Sequence, residues 1–191
     1  SGYVVKTGAN ISHVKEGDRV VLESIKGCGR CADCQKTNLI TCAERIELGM
    51  SGLYGGCNQY LNAPGSLVHK LPDGFRLDLA SLSEPLSVVL KGVNRLQINR
   101  YSGPGGQKCA VVGAGSMGHL CSKVLRYMGH QVKAFDQDVN RRSYLADSGI
   151  AVSDKLSELE TYDIIIDATG SPDVLAQIFE ISPVGATILL L

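Results

Sequence analysis

A mainly β half followed by an α/β half built on a parallel sheet is the fold class that this 191-residue sequence predicts. Three observations lead there. Residues 1 to about 84 carry short runs of β-forming residues separated by Gly, Pro and Asp. Four thiols crowd into one stretch of that half, at Cys28, Cys31, Cys34 and Cys42. From about residue 107 onward, short continuously apolar runs alternate with helical patterns, as in a sheet covered on both faces. The character changes between residues 85 and 105, so domains of 1–85 and 86–191 are expected.

In the first half the candidate strands are Tyr3-Val4-Val5, Arg19-Val20-Val21-Leu22, Gln59-Tyr60-Leu61 and Leu67-Val68-His69-Lys70, the last stopped by Pro72-Asp73-Gly74. Lys15-Glu16-Gly17-Asp18 reads as a turn feeding the second of them. Short strands of this kind suit a small barrel. Gly103-Pro104-Gly105-Gly106 marks the switch to the second half. There a strand at 109–112 precedes a helix from Met117 to Tyr127, and a strand at 132–135 precedes a helix from Val139 to Asp147. A strand around Ile164-Ile165-Ile166, a helix from Pro172 to Phe179 and a strand at 187–191 complete the pattern. Such sheets bind ligands at the carboxyl ends of their strands.

Zinc asks for four soft ligands in a tetrahedron, and Cys-x-x-Cys turns bring thiolates together without tertiary help. The spacings of three, three and eight therefore point to a metal lobe at 27–43. Gly27 and Gly29 let the loop bend, while Lys26, Arg30 and Lys36 can offset the negative charge of four thiolates. An iron–sulfur cluster fits less well. The bacterial ferredoxin run closes with a three-residue gap and a proline, whereas here seven residues separate Cys34 from Cys42 and Ala43 follows. A disulfide framework belongs to short secreted chains, and this one has an odd seven cysteines and no signal peptide. Cys57, Cys109 and Cys121 read as small packing residues without chemistry.

Gly113-Ala114-Gly115-Ser116-Met117-Gly118 follows the first strand of the second half and opens its first helix. In that context Gly113 permits the tight turn, Gly115 leaves room for a pyrophosphate and Gly118 lets helix and strand approach closely. The helix start around Met117 offers free N–H groups and positive dipole to phosphates. Asp136 lies 23 residues beyond Gly113, at the end of the second strand, where an acid accepts hydrogen bonds from adenosine ribose hydroxyls and repels a 2′-phosphate. No Arg or Lys immediately follows it, which favours NAD over NADP. As a bland alternative, Asp136 is a strand-end or capping carboxylate. Arg141 reads equally as an adenine-stacking group or a solvated helix residue.

Nineteen basic and nineteen acidic side chains cancel, and no basic patch is interleaved with aromatics, so neither nucleic acid nor an anionic membrane is an expected partner. Small molecules are. Apolar runs fall short of the roughly 18 residues a membrane span needs, and free thiols suit the cytoplasm. Ser1 stands directly before an apolar run, and Ile188 to Leu191 is a core-strand pattern with no turn after it. Both ends therefore read as cuts within a longer protein.

Together, the cysteine lobe, the glycine turn and Asp136 resemble the zinc-dependent medium-chain dehydrogenase/reductase superfamily across essentially the whole chain. The Gly17 to Val20 turn, Gly55-Gly56, Tyr60 and Pro72-Asp73-Gly74 match as well, although Asn58-Gln59 stands where Ala-Glu is usual. The resemblance implies a GroES-like domain with a structural zinc lobe, followed by a Rossmann NAD-binding domain. Glu84-Pro85-Leu86 is similar to a segment of the sorbitol, threonine, butanediol and glucose dehydrogenase branch. By that likeness Glu84 serves a catalytic zinc, directly or through its water, where liver- and yeast-type enzymes have a cysteine. By itself a Glu before Pro is also good helix-start chemistry. The five-residue step from Asp136 to Arg141 matches the family's ribose and adenine contacts, and Thr169-Gly170 resembles the turn near the nicotinamide ribose.

The family's remaining catalytic-zinc ligands, a cysteine and the histidine of a Gly-His-Glu tripeptide, would lie upstream of Ser1. The implied activity is hydride transfer between a secondary alcohol (a polyol, sugar or amino-alcohol) and NAD in a homo-oligomer, with this piece alone inactive. A zinc-free reductase of the same superfamily would not need the lobe or Glu84. An interaction or regulatory module using a nucleotide-binding fold is the alternative from another class.

Overall fold

The computed structural model describes residues 1–96 and 106–191. The expected turn at Gly103-Pro104-Gly105 lies outside the described residues. The chain divides into two units, Ser1–Glu84 and Pro85–Leu191.

In the first unit, strand β1 (Gly2–Tyr3) pairs antiparallel with β2 (Arg19–Leu22), and β6 (Val68–Lys70) flanks β2 on its other side. The β1–β2 turn closes through the Lys15 N–H donating to Asp18 Oδ2 at 2.9 Å, with Gly17 at φ +86°. Lys70 of β6 stands 2.9 Å from Asp18 Oδ1, tying the far strand to that turn. Its ammonium, and then the Lys15 N–H, hold the Asp18 carboxyl below its ordinary value. A second sheet joins β3 (Ile25–Lys26) antiparallel to β4 (Ile46–Leu48) and β4 parallel to β5 (Gly52–Leu53). Two three-stranded sheets thus stand where a small barrel was expected. The lobe at 27–43 fills the connection between β3 and β4, and includes the short helix α1 (Ala32–Gln35). A second short helix, α2 (Leu77–Ala80), follows β6 and buries Ala80.

Two strand expectations need correction. Tyr3-Val4-Val5 is a strand only at Gly2–Tyr3, because the Val4 N–H and carbonyl turn to Asp18 and Gly17 at the hairpin mouth. Gln59-Tyr60-Leu61 has β-forming residues but no ladder partner. Asn58 donates its side-chain amide to the Gly55 carbonyl at 2.7 Å, closing the preceding residues into a turn, and Tyr60 stays 71% exposed.

Helix α3 (Ser83–Arg95) starts at the division, and from Pro85 on it belongs to the second unit. That unit is a five-stranded parallel sheet in the order β11-β10-β7-β8-β9. The strands are β7 (Lys108–Val112), β8 (Gln131–Phe135), β9 (Ala151–Ser153), β10 (Ile164–Asp167) and β11 (Thr187–Leu190). Helix α4 (Ser116–Tyr127) crosses from β7 to β8, α5 (Val139–Asp147) from β8 to β9, and α6 (Pro172–Ile181) from β10 to β11. On one face Val89 and Val93 of α3 and Cys121 and Leu125 of α4 pack against Cys109, Val111, Ile164 and Ile166, all at or below 5% exposure. On the other, Ile178 of α6 and Leu159 meet Ala110, Phe135 and Ile165. Burial on both faces explains why these strands are apolar without alternation. Gly92 keeps α3 close to the sheet, since a Cβ there would meet Leu191 at 2.8 Å. The chain leaves β7 toward β8 and returns on the opposite side at β10, so the sheet has its switch point between β7 and β10. Ligands collect at such crevices.

Candidate metal centre and nucleotide site

Cys28 precedes the turn into α1, Cys31 is the N-cap residue of that helix, Cys34 sits inside it, and Cys42 follows a 3-10 turn at Leu39–Thr41. The Cys34 N–H donates to Cys31 Sγ at 3.4 Å and the Cys28 N–H to Cys42 Sγ at 3.4 Å. All four sulfurs lie within 4.8 Å of one another. Tetrahedral zinc with bonds of about 2.3 Å sets its sulfurs about 3.8 Å apart, so a small contraction closes the site. Gly27 is required here: a Cβ would press into Cys34 Sγ and stand 3.0 Å from Leu39 Cδ2.

The electrostatics of the bare quartet point to a cation. The N–H groups of Arg30 and then Cys31 lower the Cys28 thiol to about 6. The Gly29 N–H also lowers Cys34, but burial and the crowding of Cys31, Cys42 and Cys28 outweigh it and push that thiol up to about 12. Without metal the cluster tolerates charge on one sulfur at another's expense; a divalent ion relieves that conflict. Of the basic residues expected to offset the thiolates, Arg30 is paired first with Glu44, at 2.6 Å, and only then with Cys28. Cys57 is exposed, while Cys109 and Cys121 lie in the core, where burial raises each thiol to about 12.

The residues expected to hold a nucleotide come together at the carboxyl ends of β7, β8 and β10, around a crevice. Gly113 has φ +94°, and a Cβ on it would meet the Ala168 carbonyl oxygen at 2.8 Å. Gly118 has no room for a side chain, because a Cβ would sink into the Gly113 carbonyl. Gly115 differs from both: a Cβ there would meet nothing within 4 Å, so its open space fits a ligand rather than packing. Gly115 is also the N-cap of α4, and no side chain caps that end. By contrast Asp138 caps α5 and Ser171 caps α6. Met117, in the first turn of α4, packs its side chain against the core.

Asp136 anchors the crevice. Its side chain is 10% exposed; Oδ2 accepts from the Ala114 N–H at 2.7 Å and Oδ1 from the Asp138 N–H at 2.8 Å. Each oxygen keeps a lone pair for a further donor. Arg141 Nη1 lies 3.7 Å from Oδ2. Thr169 and Gly170, the latter at φ +64°, form the exposed turn after β10. Thr169 is fixed there by donating its N–H and hydroxyl to Asp167 Oδ1 at 2.9 and 2.6 Å. The second unit thus brings Gly113, Gly115, Gly118, Asp136, Arg141, Thr169 and Gly170 to one edge of its sheet.

Residues 1–73 match the alcohol dehydrogenase GroES-like domain family. A glucose 1-dehydrogenase of Thermoproteus tenax is 34% identical over 98% of this chain and 55% of its own length. A sorbitol dehydrogenase of Bombyx mori is 28% identical over 91% of this chain and 50% of its own. A protein from Sinorhizobium meliloti 1021, described by its sequence as a zinc-binding dehydrogenase and solved with NADP, superposes with a TM-score of 0.84 at 22% identity, over 99% of this chain and 58% of that one. The chain belongs to the zinc-dependent medium-chain dehydrogenase/reductase superfamily. It spans about half the length of the curated relatives it matches. In this superfamily the first unit corresponds to the GroES-like domain, with its cysteine cluster, and the second is a Rossmann-like sheet.

Glu84 is the last residue of the first unit. It is exposed in the first turn of α3 and, with Ser83, Tyr60 and Asn58, lines a cavity of about 840 Å³ in the first unit. Among the described residues the cysteine quartet is the only group of three or more side chains placed to hold a metal, and Glu84 is not part of it. Two residues escaped sequence reasoning. Asp167, 5% exposed, positions Thr169, and its signal was an acid closing an apolar run of three isoleucines. Arg142 donates to the Asp136 carbonyl at 2.6 Å, a contact no motif announces. No helix among the described residues is long and apolar enough to cross a membrane.

Proposed function

We propose that this chain serves a zinc-dependent dehydrogenase that oxidises a secondary alcohol of the polyol, sugar or amino-alcohol class with NAD. The dehydrogenase class follows from the superfamily; the substrate class rests on the sorbitol and glucose dehydrogenases it is similar to. One observation carries the coenzyme: a nearly buried Asp136 carboxylate, locked between the Ala114 and Asp138 N–H groups beside an uncapped helix start. Ribose hydroxyls can donate to its remaining lone pairs, while a 2′-phosphate would bring negative charge against it. Gly113, Gly115 and Gly118 shape the pyrophosphate turn, and the N–H groups at Ser116 and Met117 face the phosphates. Arg141 flanks the ribose-binding acid, and Thr169-Gly170 forms the opposite lip near the nicotinamide ribose. NAD held there would supply the hydride acceptor for the alcohol carbon, with the hydroxyl proton released to solvent.

Cys28, Cys31, Cys34 and Cys42 would hold the structural zinc, and with four protein ligands it would offer no open position to substrate. Glu84 alone does not make a metal site. Its proposed part is a single carboxylate, offered to a catalytic zinc directly or through water. Titration of the 191-residue chain with NADH and NADPH tests the coenzyme reading. NADH should bind more tightly, and Asp136→Ala should narrow the gap while losing hydrogen bonds worth roughly 1.5–3 kcal/mol. Equal affinity of the unaltered chain for the two would overturn the role given to Asp136.

A further inference from the structure

Asp136 is not the only charged group at the ribose end of the sheet. Arg142 follows Arg141 on α5, and its Nη1 donates to the Asp136 backbone carbonyl at 2.6 Å. Its Nη2 stands 3.6 Å from Asp154 Oδ2. The Arg142 side chain is 19% exposed, against 57% for Arg141. Asp154 directly follows β9, whose last residue, Ser153, accepts from the Asp136 N–H at 3.1 Å. The three groups therefore meet at one corner formed by the ends of β8 and β9. A guanidinium, the side chain best matched to phosphate, stands at the residue that would read the 2′ position, yet it is held by a backbone carbonyl and a carboxylate.

We propose that Asp154 is a positioning residue for coenzyme choice: by holding Arg142 against the Asp136 carbonyl, it withholds from the ribose 2′ position the cation that a 2′-phosphate would need. The inference rests on the nucleotide reading of Asp136 given above. A 2′-phosphate brings up to about two negative charges into a corner that already holds the Asp136 carboxylate. Arg141 is engaged by that carboxylate at 3.7 Å. Arg142 is the next cation along α5, and Asp154, 3.6 Å from it, offsets its charge and favours its present direction. Without Asp154, one positive charge is left uncompensated and the guanidinium fork can swing outward. The pair contributes little to stability, since the Asp154 side chain is 57% exposed, so it can be removed without unfolding the sheet.

The test is equilibrium binding of ADP-ribose and 2′-phospho-ADP-ribose to the 191-residue chain, for wild type, Asp154→Ala, Asp154→Asn, Arg142→Ala and the double change Asp154→Ala with Arg142→Ala. Both Asp154 variants should improve the 2′-phosphorylated ligand relative to ADP-ribose by about three- to tenfold, the size of one partly screened charge. ADP-ribose itself should change by less than about twofold, and Asp154→Ala should do nothing to the ratio once Arg142 is absent. A purely structural role would weaken both ligands together. An unchanged ratio in both single variants, or the same gain in the Arg142→Ala background, overturns the inference while leaving the coenzyme site standing. A wild-type chain that binds neither ligand would instead overturn the nucleotide reading, and this inference with it.

Discussion

Gly118→Ala sets helix propensity against close packing, and the structure decides the sign. Alanine normally favours a helix over glycine by about 0.8–1 kcal/mol at mid-helix. At position 118, however, the new Cβ would overlap the Gly113 carbonyl oxygen, stand 2.9 Å from its carbon and 3.4 Å from Val111 Cγ1. Ordinary contacts need about 3.3–3.6 Å, so α4 must back away from the end of β7 by more than about 1.5 Å. That movement loosens the face where Cys121 and Leu125 pack on Cys109 and Val111, all with essentially no exposed surface. Overpacking of this kind costs about 1–3 kcal/mol or more, and the obstacle here is backbone that cannot rotate aside. A net loss of about 2 kcal/mol should lower the unfolding temperature of the second unit by roughly 5–12 °C. Far-UV circular dichroism on the 191-residue chain reads it directly. The companion change Gly115→Ala meets no protein atom within 4 Å. It should alter stability by less than about 1 kcal/mol yet weaken ADP-ribose binding by roughly tenfold or more. Gly118→Ala unfolding at or above the wild-type temperature would refute the packing argument.

Cys31→Ser should lower zinc content from one ion per chain toward none and loosen the loop at 27–43, while ADP-ribose affinity stays within about twofold; metal analysis and protease sensitivity report it, and a brown iron chromophore in the unaltered protein would contradict the zinc assignment. Lys70 holds the Asp18 carboxyl below its ordinary 3.8, so the pair stabilises the fold above that value and the contribution is lost as pH falls through the folded-state value. Asp18→Asn should therefore unfold at a lower temperature than wild type at neutral pH, and the two should converge in acid; a difference that persists undiminished in acid would mean that charge is not the cause.

What could be read from the sequence was what depends on neighbours in the chain. The cysteine lobe is local: three of its ligands lie within two turns of chain, and Gly27 gives way to Cys34. Ile164-Ile165-Ile166 announced a buried strand because three branched apolar residues in a row fit few other places. Ala151–Ser153 did not, since it has a single β-branched apolar residue and becomes a strand only by pairing with β8. Gln59-Tyr60-Leu61 misled for the opposite reason, having β propensity without a partner. The glycine turn and Asp136 were visible as a spacing, but the Ala114 hydrogen bond that joins them spans 22 residues and needs the sheet order to exist. Arg142 and Asp154 are brought together the same way, by α5 and β9 folding beside the end of β8.

NAD is expected to lie across the edge of the second sheet with its adenosine ribose on Asp136. A crystal structure of the chain with NADH tests this most directly. The expected density places the ribose 2′- and 3′-hydroxyls within hydrogen-bond distance of the Asp136 carboxylate, and the pyrophosphate over Gly115 against the N–H groups of Ser116 and Met117. Nucleotide bound elsewhere, or seated in the crevice with its ribose turned away from Asp136, would contradict it.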